Sequence, residues 1–252
     1  KSEEQSIADY IQEFRDTTFQ HISIKDLLLM RSDIYYEEGK LWFSDDTKTY
    51  YLPDLRDLAI NNIRINKKYD GCFHYNNYHP LLLGIILERS TGVSVSAYLE
   101  EKIWSKLGME YDATWSIDSF ESNFEKMESG LNFRSIDFAK IGSMILHNGK
   151  WDEEDIVSDD WLKRSTIAEF PLKSEDYHGT FLENKNTAYK YMWYSLRNEK
   201  GGIDFYAAGK YGQYLYISPL NNTVIVRNGY SYGSVDWWPS VLAETADFLG
   251  DF

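Results

Sequence analysis

The sequence predicts an α+β fold, and three patterns carry that prediction. Apolar residues recur at helical spacing in successive segments up to about residue 168. After residue 188 the period drops to two, in short runs separated by turn residues. A last amphipathic segment closes the chain, so the simplest architecture is an antiparallel meander with a helix laid over it. On this reading residues 1–188 form a mainly helical part, and residues 189–252 form antiparallel strands with a C-terminal helix.

Taken in order, Ser6 to Phe14 is a short amphipathic piece, and Ser23 with Asp26 forms an N-cap signature for a helix over about 24–31. Residues 32–72 are polar and aromatic, and read as loops with one short helix. Asn77 can cap a helix over 78–90, because Pro80 is tolerated in a first turn and Gly92 ends it. A second helix follows over about 94–106, with Val95, Leu99, Ile103 and Trp104 on one face and Gly108 as its stop. Ser135 caps a third, which runs to Asn148-Gly149, and residues 158–168 make a fourth. Tyr189 to Tyr194 reads as one strand, Asn198 to Gly202 as a turn, and Ile203 to Ala208 as the next strand. Gln213 to Ile217 and Thr223 to Arg227 complete the strands, and Asp236 and Pro239 open the closing helix.

Composition excludes several function classes. The 252 residues are 43% hydrophobic and 16% aromatic, enough for a packed core. Forty acidic against 26 basic residues give a net charge of -14, which argues against nucleic acid or an anionic membrane as partner. A compact neutral or cationic substrate suits that charge better. The single cysteine, Cys72, excludes an internal disulfide framework and reads as a small buried hydrophobe. No apolar run is long enough for a membrane span.

The most informative stretch is Phe73-His74-Tyr75-Asn76-Asn77-Tyr78-His79-Pro80, a polar turn that opens an apolar helix. Packing can fix a phenol there while its hydroxyl faces a cleft. Lys-x-Gly triplets recur along the chain; those at Lys106 and Lys200 are explained by a helix stop and a hairpin turn. Lys210-Tyr211-Gly212 is read as lying on a strand, where Gly212 lets a ligand approach and the Gln213 amide can point at a developing oxyanion. Lys210 would add positive charge beside it. His21, His74, His79, His147 and His178 show no metal-binding spacing, so neither metal nor cofactor is expected. Tyr35, Tyr36, Trp115, Trp193, Trp237 and Trp238 are candidates for lining a cleft, with Trp193 and Tyr211 the choices for substrate contact. No Ser stands three residues before a Lys anywhere in the chain.

In order and spacing these pieces resemble the beta-lactamase-related serine hydrolases: class C beta-lactamases, D,D-peptidases, esterases and the 6-aminohexanoate-dimer hydrolase branch. The likeness rests on Ile22 to Met30, Tyr75 to Gly92, Trp104 to Met109, Gly130 to Gly142 and Gly209 to Gln213. The resemblance implies an antiparallel sheet between helices with a helical subdomain beside it. It places the nucleophile helix, with Ser-x-x-Lys, and the first strands upstream of this sequence. It implies an acyl-enzyme reaction on a small ester or amide. Tyr75 would shuttle the proton, Asn77 orient the substrate, Lys210 lend electrostatic support, and Gly212-Gln213 form half the oxyanion hole. The partners implied are that substrate and the missing N-terminal segment, in a periplasmic, secreted or cell-surface setting. Two departures stand out: Tyr211 replaces a small residue of the third motif, and Asp33 stands where the family usually has Gly. The first favours an ester or small-amide hydrolase over a true beta-lactamase. Without the serine, the other reading is a non-catalytic module binding peptidoglycan-like or peptide ligands.

Overall fold

The computed structural model describes residues 2–39, 41–168 and 186–251. His178 therefore lies outside the described residues. Two compact units form, one from Lys1–Glu101 with Ala113–Asn132 and one from Lys102–Asp112 with Phe133–Phe252. These units follow packing, whereas a boundary at residue 188 follows element type.

In the first unit, Ser6 to His21 winds through three 3₁₀ turns, Ile7–Asp9, Gln12–Phe14 and Thr18–His21. Helix α1 (Ile24–Leu28) starts on the expected capping box: Ser23 accepts from the Asp26 amide, and the Asp26 carboxylate accepts from the Ser23 amide. It ends sooner than the spacing suggests, because Met30 turns to a φ of 58°. Residues 32–72 hold two short helices rather than one, α2 (Asp45–Tyr51) and α3 (Leu55–Asn61). Helix α2 buries Asp45 and Thr49 instead of an apolar stripe, so its period is invisible to hydropathy.

Helix α4 (Tyr78–Thr91) ends at Gly92, which takes a φ of 78° as the left-handed cap. Leu81, Leu82 and Ile85 lie in the core with Ile7, Phe14 and Leu58. The segment expected as one helix over 94–106 is α-helical only in α5 (Val95–Leu99) and widens into a π turn over Glu100–Trp104. Strand β1 (Thr114–Trp115) pairs antiparallel with β2 (Leu131–Asn132) to finish the unit. Cys72 is half-buried, more open than its residue type suggests.

The second unit opens with α6 (Ser135–Leu146). Ser135 is its first helical residue rather than its cap, and its hydroxyl instead meets the Asn228 amide at 2.9 Å. A small hairpin, β3 (Lys150–Trp151) with β4 (Glu154–Asp155), precedes α7 (Asp159–Thr166), the helix expected over 158–168, which Ser158 caps by accepting from the Trp161 amide. Then come β5 (Thr187–Lys190), β6 (Trp193–Arg197), β7 (Ile203–Gly209), β8 (Gln213–Ser218) and β9 (Thr223–Arg227), followed by α8 (Trp238–Gly250). The five strands make one antiparallel sheet in sequence order.

The single strand expected over Tyr189 to Tyr194 is two strands. Tyr191 and Met192 both take positive φ, 47° and 68°, and turn β5 into β6. One sheet face carries Phe205, Leu215 and Ile217, packed on Met144 and Ile145 of α6. The other carries a tyrosine ladder in register: Tyr189 opposite Tyr194, Tyr194 opposite Tyr206, and Tyr206 opposite Tyr216. Trp237, Trp238 and Pro239 meet Tyr194, Tyr206 and Tyr214 in a pocket on that face. No helix among the described residues is long and apolar enough to cross a membrane.

Candidate active site

Tyr75 and Asn77 stand at the head of α4 in the first unit. The turn is held by the residue between them. Asn76 is fully buried, donates to the Ile34 carbonyl (2.8 Å) and accepts from the Tyr78 amide (2.8 Å). Asn76, not Asn77, thus satisfies the first helical amide. That leaves the Asn77 side chain available for other partners, Thr49 Oγ1 at 3.3 Å and the Tyr50 hydroxyl.

Below the turn, the buried Tyr78 donates to Asp45 (2.9 Å), and His79 bonds Ser32 Oγ through Nε2 (2.6 Å) and faces Met30 Sδ through Nδ1 (2.8 Å). Burial, with His74 as a lesser cause, depresses the His79 imidazole to about 3, so it is neutral and structural. Asp33 takes a φ of 61° and accepts from the Gly71 amide, a conformation that glycine adopts most readily.

The electrostatics around Tyr75 are acidic. Burial raises its phenol first and the Glu38 carboxylate raises it further, so the group is a neutral phenol at pH 7. Tyr50 is pushed up to about 12 by burial, then by Glu128, Asp46 and Tyr75, with the Asn77 bond opposing. Glu128 is itself raised, chiefly by burial. Sequence reasoning missed Tyr50, Glu38 and Glu128. Nothing in their local sequence distinguishes them from other tyrosines and acids; only the fold brings them to Tyr75 and Asn77.

The remaining candidates lie in the second unit. Lys210-Tyr211-Gly212 is a turn between β7 and β8, not part of a strand. Tyr211 and Gly212 take φ of 65° and 81°, and the Gly212 amide donates to the Gly209 carbonyl (3.2 Å). A Cβ on Gly212 would lie 2.4 Å from Arg227 Nη1, so the glycine is needed for space as well as for φ. Arg227 buttresses the turn: it donates to the Tyr211, Gly212 and Ser231 carbonyls and stacks 3.9 Å over Trp238. Gln213 begins β8, and its side-chain amide pairs with both backbone groups of Gly229. The ring of Trp193 meets Phe205 edge-on at 5.6 Å, which makes it part of the core packing under α6.

A long apolar helix, α4, opened by a polar turn and an antiparallel sheet covered by α6 are the parts of a beta-lactamase/transpeptidase-like α+β fold. The chain belongs to the Beta-lactamase family, whose model it matches over residues 4–228. It is 25% identical over 240 residues to the 6-aminohexanoate-dimer hydrolase of Paenarthrobacter ureafaciens, an alignment covering 88% of this chain and 58% of that protein. A Bacillus anthracis protein provisionally described as a 6-aminohexanoate-dimer hydrolase superposes with a TM-score of 0.81 at 22% identity, over 99% of this chain and 66% of that one. A class C beta-lactamase superposes with a TM-score of 0.69 at 16% identity, over 98% of this chain and 75% of that one. The chain thus spans a little over half the length of the curated relative it matches.

Proposed function

We propose that this chain is the larger part of a serine hydrolase that cleaves a small ester or amide through an acyl-enzyme. The attacking serine and its lysine come from sequence outside residues 1–252. The carrying observation is the Tyr75-Asn76-Asn77 turn, whose middle residue is locked into the core and so fixes the backbone that carries Tyr75 and Asn77 at the head of α4. In the reaction, the serine oxygen bonds to the substrate carbonyl carbon as its proton passes through Tyr75 to the leaving alcohol or amine. Water then releases the acid and restores the serine. Asn77 orients the substrate, while Lys210 and the Gly212-Gln213 backbone stabilise charge on the carbonyl oxygen. Because Tyr75 is a neutral phenol among carboxylates, it needs the serine-side lysine before it can accept a proton. The bulk of Tyr211 favours esters and small amides over carboxylate-bearing bicyclic substrates.

Tyr75→Phe in the longest natural form tests this. A positioned proton shuttle contributes about 10² to 10⁴ in rate, so kcat on a p-nitrophenyl ester should fall at least about a hundredfold with the fold intact. A loss under about fivefold removes Tyr75 from the mechanism. The absence of Ser-x-x-Lys from all 252 residues also supports a second reading, a ligand-binding module without catalysis. Labelling of the longest form by a serine-reactive fluorophosphonate separates the two.

A further inference from the structure

The tyrosine face of the sheet holds a cavity that the hydrolase reading leaves unused. Its volume is about 80 Å³, the space of two or three waters at about 30 Å³ each. Tyr194, Tyr206 and Tyr214 form its wall on the sheet, and Asp236, Trp237 and Trp238 close it from the connection into α8. All of these residues belong to the second unit.

The polar groups of this lining are unspent. Tyr206 is 2% exposed and Tyr214 8%, yet neither phenol hydrogen-bonds any group among the described residues. A buried hydroxyl without a partner costs free energy, which a fitting ligand would recover. Asp236 is exposed at the rim and forms no ion pair among the described residues. The Trp238 indole, by contrast, donates to the Tyr232 carbonyl (2.8 Å), and its ring carries the Arg227 guanidinium at 3.9 Å.

These features select a ligand by size, shape and charge. The space admits a head group of a few atoms. An anion would face Asp236, and an alkyl group would leave both phenols unpaired. Arg227 stands opposite Tyr214 in the sheet register and is held by the Tyr211, Gly212 and Ser231 carbonyls, not by Asp236. A guest cation therefore depends on Asp236 to offset that charge, with the net charge of -14 adding attraction at long range. A guanidinium meets every condition. It is flat against an indole, and its N–H groups can donate to both phenol oxygens and to the carboxylate.

We propose that this cavity binds the guanidinium head group of a small molecule or of a peptide arginine, with Tyr206 and Tyr214 accepting from it and Asp236 pairing with its charge. Tyr75 and Asn77 lie in the first unit, so the assignment does not depend on the hydrolase reading.

The test is a binding measurement on the longest natural form, with methylguanidinium as the probe and methylurea as its flat, neutral counterpart. Calorimetry at pH 7 should show the cation bound at least about tenfold tighter. Asp236→Asn, at an exposed position that leaves the fold intact, should abolish that preference, and Tyr206→Phe should weaken methylguanidinium binding several-fold. Agmatine and an acetylated Gly-Arg-Gly amide carry the same head group, and the tighter binder of the two tells a small guanidine from a peptide side chain. Equal binding of methylguanidinium and methylurea, no binding of either, or a preference that survives Asp236→Asn overturns the proposal.

Discussion

His79 illustrates how a residue can sit within a motif and yet serve the fold. Two positions past Asn77, it is 1% exposed and wedged between Ser32 and Met30. Its folded value of about 3 lies below the ordinary 6.5, so the unfolded chain binds a proton that the folded chain refuses. Stability is therefore unaffected above pH 6.5 and is lost as pH falls from 6.5 towards 3, by on the order of 4 kcal/mol. His79→Gln, which keeps a hydrogen-bonding side chain without the titration, should flatten the dependence of chemical-denaturation stability on pH across that window. An unchanged slope would contradict the assignment. At this scale the sequence was partly legible. Tyr75, Asn77 and Lys210 stood out through spacing, because a motif is a local pattern. Asn77 holds the N-cap position of α4 as expected, but the side chain that accepts from the Tyr78 amide is that of Asn76, because the Ile34 carbonyl holds Asn76 in place. Glu128 was invisible among 40 acidic residues, because burial is not a local property.

At the scale of elements, legibility followed the apolar period. Helices α4, α6 and α7 and the three later strands β7, β8 and β9 were readable because apolar residues recur in each at the period of its element. The break in Tyr189 to Tyr194 was not, because its turn uses Tyr191 and Met192 at positive φ where glycine or asparagine is usual. The π turn after α5 likewise keeps helical spacing in sequence while changing the ring of the ladder. Two glycines show how closely a helix can meet its neighbours. A Cβ on Gly142 of α6 would lie 2.6 Å from Val224 Cγ1 and 2.8 Å from Leu215 Cδ1, both on the covered sheet face. A Cβ on Gly84 of α4 would lie 2.5 Å from Met127 Cγ, 2.9 Å from Met127 Sδ and 3.1 Å from Cζ of the fully buried Phe124. Alanine gains about 1 kcal/mol of helix propensity at either site. Gly142→Ala and Gly84→Ala should nevertheless each be destabilising by about 1 to 3 kcal/mol through overpacking. Thermal unfolding of the two variants checks this, and melting points at or above that of the unsubstituted chain would refute the packing argument.

For the whole molecule, the sheet order puts β5 and β9 at its ends, and among the described residues β9 pairs with β8 alone. Its Thr223-Val224-Ile225-Val226-Arg227 sequence is a short apolar edge, a template for pairing with another strand. Residues 1–252 expressed alone should self-associate with rising concentration, and Ile225→Lys should reduce that association in sedimentation velocity. A chain that stays monodisperse at high concentration would show the edge to be harmless. Fold class was legible at this scale because the change of period near residue 188 marks the sheet; the membership of the two units was not, since Lys102–Asp112 joins the second unit from within the helical part. The tyrosine ladder has an optical consequence. Tyr189, Tyr194, Tyr206 and Tyr216 follow one another at centroid separations of 4.9, 5.3 and 6.1 Å, and the pocket at one side brings Trp237 and Trp238 to the same rings. Light absorbed by these phenols can pass along the row and leave as indole fluorescence. Excitation near the tyrosine maximum thus feeds the indoles through this row in addition to their direct absorption, and loss of that transferred share on unfolding follows the dissolution of the sheet without any added dye.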